Sequence, residues 1–167
     1  MNWLIALFLI LHVGGAIIAF GPTFVFPILG GMAGKEPMHV NFALRLGERI
    51  EMRLVVPLAI FQAVTGVGLI WTVDIDVFVH LWLLLGITLY VIAMVIVFTN
   101  SMPVVRKLVE ATSTPPPPPA PGSPPPSGPP PHIAALIRRN QIGGMVLTVL
   151  LLTIIVLMVA GANGYLG

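Results

Sequence analysis

Residues 3–33, WLIALFLILHVGGAIIAFGPTFVFPILGGMA, carry no formal charge and a single ionisable side chain, His12. At about 1.5 Å per residue a helix of that length covers roughly 45 Å, against roughly 30 Å of hydrocarbon in a bilayer. The stretch predicts a membrane-spanning helix over about residues 3–26. It has no basic n-region and no small-residue cleavage site, and it is too long for a signal peptide, so it is expected to be retained. On a helix, Ile5, Phe8, Ala16, Ala19, Thr23 and Gly30 share the face of His12, with Gly15 beside them. Past His12 that face is made of small residues, which let a neighbouring backbone come close, and a polar imidazole belongs where protein rather than lipid packs. His12 is therefore expected to point into a helix bundle. Two roles stay open for it: an imidazole held by one hydrogen bond for packing, or a haem or metal ligand or proton relay.

Composition agrees with a membrane class. Apolar residues make up 57% of the chain and charged residues 8%, with a mean hydropathy of +1.01, far above a soluble domain. The small positive charge gives no reason to expect nucleic acid, because the basic residues fall where topology signals fall. There is no cysteine, which removes disulfides, iron–sulfur clusters and thiol nucleophiles.

The fold expected is all-α, a four-transmembrane-helix bundle with a long proline-rich loop between helices 3 and 4. After Ala33 a polar, helix-periodic segment leads into an apolar one, with Pro57 expected to kink the helix where it enters the membrane. The second span is about residues 52–71. A short turn holding Asp74 and Asp76 leads to a third span, about 77–98, which is expected to continue through or past Pro103. Residues 112–131, TSTPPPPPAPGSPPPSGPPP, have almost nothing to bury and read as a disordered spacer looping away from the bundle. The fourth span is about 142–161. Lys35, Arg45, Arg49, Arg53, Arg106, Lys107, Arg138 and Arg139 are all the Lys and Arg of the chain, and all lie in or beside the first and third connections. The positive-inside bias puts those connections in the cytoplasm and both termini outside it. Each arginine pair also reads, alternatively, as a phosphate or lipid-headgroup site.

Counting inward from the outer surface places His12, Gln62, Thr88 and Thr153 at about 12–16 Å of depth, one polar side chain per span. The expectation is a shared polar layer, with His12 hydrogen-bonded to Gln62. His80 lies only about 5 Å deep by the same count, with Asp76 one turn before it and its carboxylate within reach of the imidazole. Bis-histidine ligation of a haem by His12 and His80 requires the first helix to slide outward. His39 and His132 fall in the cytoplasmic connections. Neither a nucleophile with its base, paired intramembrane carboxylates, a phosphate loop nor an HExxH-type metal motif occurs, so hydrolysis and phosphoryl transfer have no machinery.

The segments LHVGGAIIAFGPTFVFPIL, VVPLAIFQAVTGVGLIW and HLWLLLGITLYVIAMV resemble a family of predicted four-helix bacterial membrane proteins. More distantly they are similar to the HemJ-type protoporphyrinogen oxidases and the CopD copper-resistance membrane domain. The HemJ-type resemblance implies haem b, with His12 matching a first-helix histidine and His80 its third-helix companion. Trp82 stands where those enzymes have a lysine. Two readings follow: a non-enzymatic or accessory subunit in the bacterial inner membrane, and a b-type haem redox protein. The partners expected are the lipid bilayer and either other membrane subunits or further copies of the chain.

Overall fold

A computed structural model describes residues 3–114 and 128–165. It contains four helices long and apolar enough to cross a membrane: α1 (Trp3–Lys35), α2 (Val40–Val73), α3 (Leu81–Ala111) and α4 (Pro131–Ala162). Each is longer than the apolar run that announces it, because amphipathic or basic turns extend α2, α3 and α4 past the hydrophobic segment. Of the proline-rich segment, Pro115–Ser127 lie outside the described residues. Its margins are ordered: the Thr112 hydroxyl donates to the Leu108 carbonyl at 2.8 Å, and Pro131 already opens α4, where its missing N–H costs nothing.

Prolines shape three of the helices without breaking them. In α1, Gly21–Val25 tighten into a 3-10 turn around Pro22, and the Thr23 hydroxyl donates to the Phe20 carbonyl at 2.6 Å. In α2 the kink expected at Pro57 takes the form of a π turn over Glu51–Val55, closed by the Val56 N–H on the Glu51 carbonyl. α3 repeats the device: a π turn over Val97–Ser101, closed by the Met102 N–H on Val97, precedes Pro103. A widened turn makes room for the proline ring against the preceding carbonyls, so both helices run on.

α2 ends at Asp74, whose left-handed backbone (φ 56°) lets its N–H reach the Ile70 carbonyl. The connection is longer than expected, and α3 begins at Leu81 rather than near Val77. The Asp76 side chain accepts the Phe78 N–H at 2.8 Å, a local turn that competes with helix formation until His80 has passed.

α1 packs along the apolar part of α2, and α3 packs along α4. Both seams depend on missing side chains. A Cβ on Gly68 would enter the ring of Phe8 from α1, and one on Gly161 would enter the indole of Trp82 from α3. The two pairs are tied together at the basic end, where the first turns of α2 meet the last turns of α3. There Val104 and Leu108 are almost completely buried, and the Asn41 amide donates to the Val109 carbonyl (2.9 Å) and the Thr112 hydroxyl (3.0 Å). Deeper in the bundle the Tyr90 hydroxyl donates to the Ala59 carbonyl at 2.6 Å, joining α3 to α2. Away from these seams the helices present apolar surface, and in α4 only Gly143 is buried.

Candidate functional site

A cluster of polar side chains meets inside the apolar region on the seam between α1 and α2. Small residues set the geometry. His12 lies over Gly66, whose hypothetical Cβ would stand 3.2 Å from the imidazole Cε1, and Gly15 lies over Gln62, with 3.2 Å to Oε1. Thr65, 1% exposed, sits between them. Its Oγ1 is 3.0 Å from His12 Nδ1 and 3.1 Å from the carbonyls of both Phe61 and Gln62.

With the Thr65 hydroxyl proton on a main-chain carbonyl, that network selects one imidazole tautomer. A threonine hydroxyl has one proton, and here it is directed at main-chain carbonyls of its own helix, so Oγ1 is left as an acceptor. His12 Nδ1–H therefore donates to Thr65, and Nε2 keeps the lone pair. Gln62 is 8% exposed, and its Oε1 is buried with no hydrogen-bond partner among the described residues. A buried acceptor without a donor is uncommon and costly.

Among the described residues the side-chain partner of His12 is thus Thr65 rather than the expected Gln62 side chain. A carbonyl-anchored hydroxyl is already fixed in place, whereas a glutamine must give up three torsions to present its amide. The signal was in the sequence: Thr65 follows Gln62 by three residues, on the same helical face, and directly precedes Gly66. Thr88 and Thr153 do not join the cluster. Both are exposed and return their hydroxyls to their own helices, on the carbonyls of Leu84 and Val149, each at 2.8 Å. A hydroxyl satisfied in that way can face hydrocarbon.

His80 ends the connection before α3, in extended backbone. Its Nδ1–H donates to the main-chain carbonyl of Asp76 at 2.8 Å, not to the carboxylate, which is taken by the Phe78 N–H. Trp82 meets the imidazole edge-on with ring centres 6.3 Å apart. Among the described residues no hydrogen bond or ring contact joins His12 to His80. His39 pairs loosely with Glu36, at 3.9 Å and exposed, and His132 is exposed in the first turn of α4. No group of three or more His, Cys, Asp and Glu side chains is gathered for a metal among the described residues.

Four helices able to cross a membrane, with a polar cluster sealed into one seam, define an all-helical membrane-protein class. Within it, the family model described as Predicted integral membrane protein (DUF2269) matches residues 6–161, and the chain belongs to that family. No curated protein and no solved structure matches the chain.

Proposed function

We propose that the protein is a non-enzymatic accessory subunit of a larger assembly in the bacterial inner membrane. The observation that carries this reading is the side of α1 turned away from α2. Trp3, Ile10 and Ile17 are 70%, 70% and 68% exposed, and Gly14 and Gly21, which alternate with them at heptad-like spacing, face nothing within 4 Å. Bulky residues alternating with glycines form knobs and clefts suited to a helix of a neighbouring subunit. Glycine inside a helix costs about 1 kcal/mol relative to alanine, a cost that a close helix contact offsets.

Native electrophoresis of mildly solubilised membranes tests the reading. The wild type should migrate in a species containing other polypeptides, and Gly14→Leu/Gly21→Leu should release it, since neither side chain meets anything within this chain. A lone monomer, or a species built only of this chain, would overturn the proposal.

The orientation proposed has both termini outside the cytoplasm, from the gathering of every Lys and Arg at one end of the bundle. A reporter active only in the periplasm, inserted between Asp74 and Asp76, should be active; activity of a cytoplasmic reporter there reverses the topology.

A second reading, b-type haem binding through His12 and His80, is favoured by one observation. Each imidazole gives its Nδ1–H to a fixed oxygen, Thr65 Oγ1 or the Asp76 carbonyl, which leaves Nε2 basic, the state a ligand histidine requires. The resemblance to the HemJ-type oxidases supports it at the same two positions, with Trp82 departing from their lysine. A bound haem would supply one-electron chemistry; the part of this chain is to hold each ring in one tautomer and one orientation. Protein purified from haem-replete cells should show a Soret band that His12→Ala abolishes. Absence of the band in the wild type would remove this reading and leave the first untouched.

A further inference from the structure

We propose that the groove between α3 and α4 at the basic end of the bundle holds one anionic phospholipid, its phosphate on Arg138 and Arg139 and its chain against Ile96, Ile142 and Val146. The groove is wide open, offers about 540 Å³ and is lined mainly by apolar residues, with Asn100 and the two arginines as its polar groups. Its apolar wall and cationic mouth match a lipid better than a free anion, which would leave the wall uncovered.

Three features build the mouth. The π turn over Val97–Ser101 carries Asn100 into the α3–α4 seam. Gly143 admits it there, since a Cβ at that position would stand 2.7 Å from the Asn100 amide nitrogen. Asn100 Oδ1 then accepts Arg139 Nε at 2.6 Å, which fixes one edge of the guanidinium and leaves the Nη edge for an oxyanion. Neither Arg138 nor Arg139 has an ion-pair partner among the described residues, where the pairs are His39–Glu36 and Arg106–Glu110.

Charge also separates this groove from the next one. A second groove, of about 320 Å³ between α2 and α3, is lined by Glu48 and Glu51 beside Arg106, and two carboxylates repel a phosphate. The α3–α4 groove has no acidic residue in its lining. It also lies at the end of the bundle where all eight Lys and Arg gather, the level at which basic pockets between helices take phospholipid headgroups.

Native mass spectrometry of the full-length protein, titrated with phosphatidylglycerol or phosphatidylcholine, reads the site directly. The wild type should retain one phosphatidylglycerol in preference to phosphatidylcholine. Arg138→Gln/Arg139→Gln should lose roughly thirtyfold of that preference, at about fivefold per charge near the membrane surface. Asn100→Ala, which keeps both charges but frees the Arg139 fork, should lose part of it. Arg106→Gln/Lys107→Gln removes two charges at the same surface but outside the groove and should lose clearly less of the preference. Equal retention of the two lipids, an unchanged double-arginine variant, or an equal loss in Arg106→Gln/Lys107→Gln would overturn the proposal. So would displacement of the lipid by millimolar inorganic phosphate alone, which would make the site one for free phosphate.

Discussion

Gly161→Ala is expected to destabilise the protein by about 1–3 kcal/mol, the usual range for overpacking a tight interior. The added Cβ would fall on the inner atoms of the Trp82 indole. Relieving the contact would require the whole bulky, rigid indole to move, rather than the tip of a flexible chain. Trp82 also meets the His80 ring edge-on. The helices must then part, and α4 has little else to hold it, with Gly143 its only buried residue. Gly86→Ala on α3 is the matched control. Its Cβ would meet the terminal methyl of Met158, the far end of an unbranched side chain that repacks easily, so the cost should stay below about 1 kcal/mol. Unfolding of each variant by detergent titration separates the two; equal losses, or a smaller loss for Gly161→Ala, would show that the α3–α4 seam does not close on Trp82.

The spans were legible because lipid imposes one rule, an apolar run of sufficient length, and the chain obeys it four times. The continuation of α3 past Pro103 was expected from the sequence, and the helix runs to Ala111. What the sequence did not reveal is azimuth. Counting residues inward gives depth, and by depth His12, Gln62, Thr88 and Thr153 share a level. Sharing a cluster also requires facing one another, and Thr88 and Thr153 face outward. His80 shows a related limit. Four residues separate it from Asp76, the spacing that pairs side chains on a helix, yet that segment is a turn, so the carbonyl rather than the carboxylate meets the imidazole. Both π turns were beyond reach for the same reason: Pro57 and Pro103 announce a disturbance of the helix, but a kink and a widened turn satisfy it equally well at the level of sequence.

Opposite signs are expected for two neighbouring substitutions on α2. Thr65→Val removes the acceptor of the His12 Nδ1–H and should lower stability by about 0.6 kcal/mol, and by no more than about 2, the range of polar contacts between membrane helices. Gln62→Leu should raise stability by about 1 kcal/mol or more, because it deletes an acceptor that is buried without a donor, and such a group costs roughly 1–3 kcal/mol. Leucine is close to glutamine in size, and Gly15 opposite it carries no side chain. A glutamine that costs stability where it stands is a candidate for a functional group, and reversible unfolding in detergent beside native electrophoresis separates the cases. A more stable Gln62→Leu that still enters the larger species makes Gln62 a packing residue. A more stable variant that fails to enter it means that the packing of the α1–α2 seam at Gln62 shapes the outer face of α1 on which the partner docks. Destabilisation by more than about 1 kcal/mol would mean that Oε1 is already satisfied within the isolated chain, by water bound in the seam, and the expected sign would be wrong.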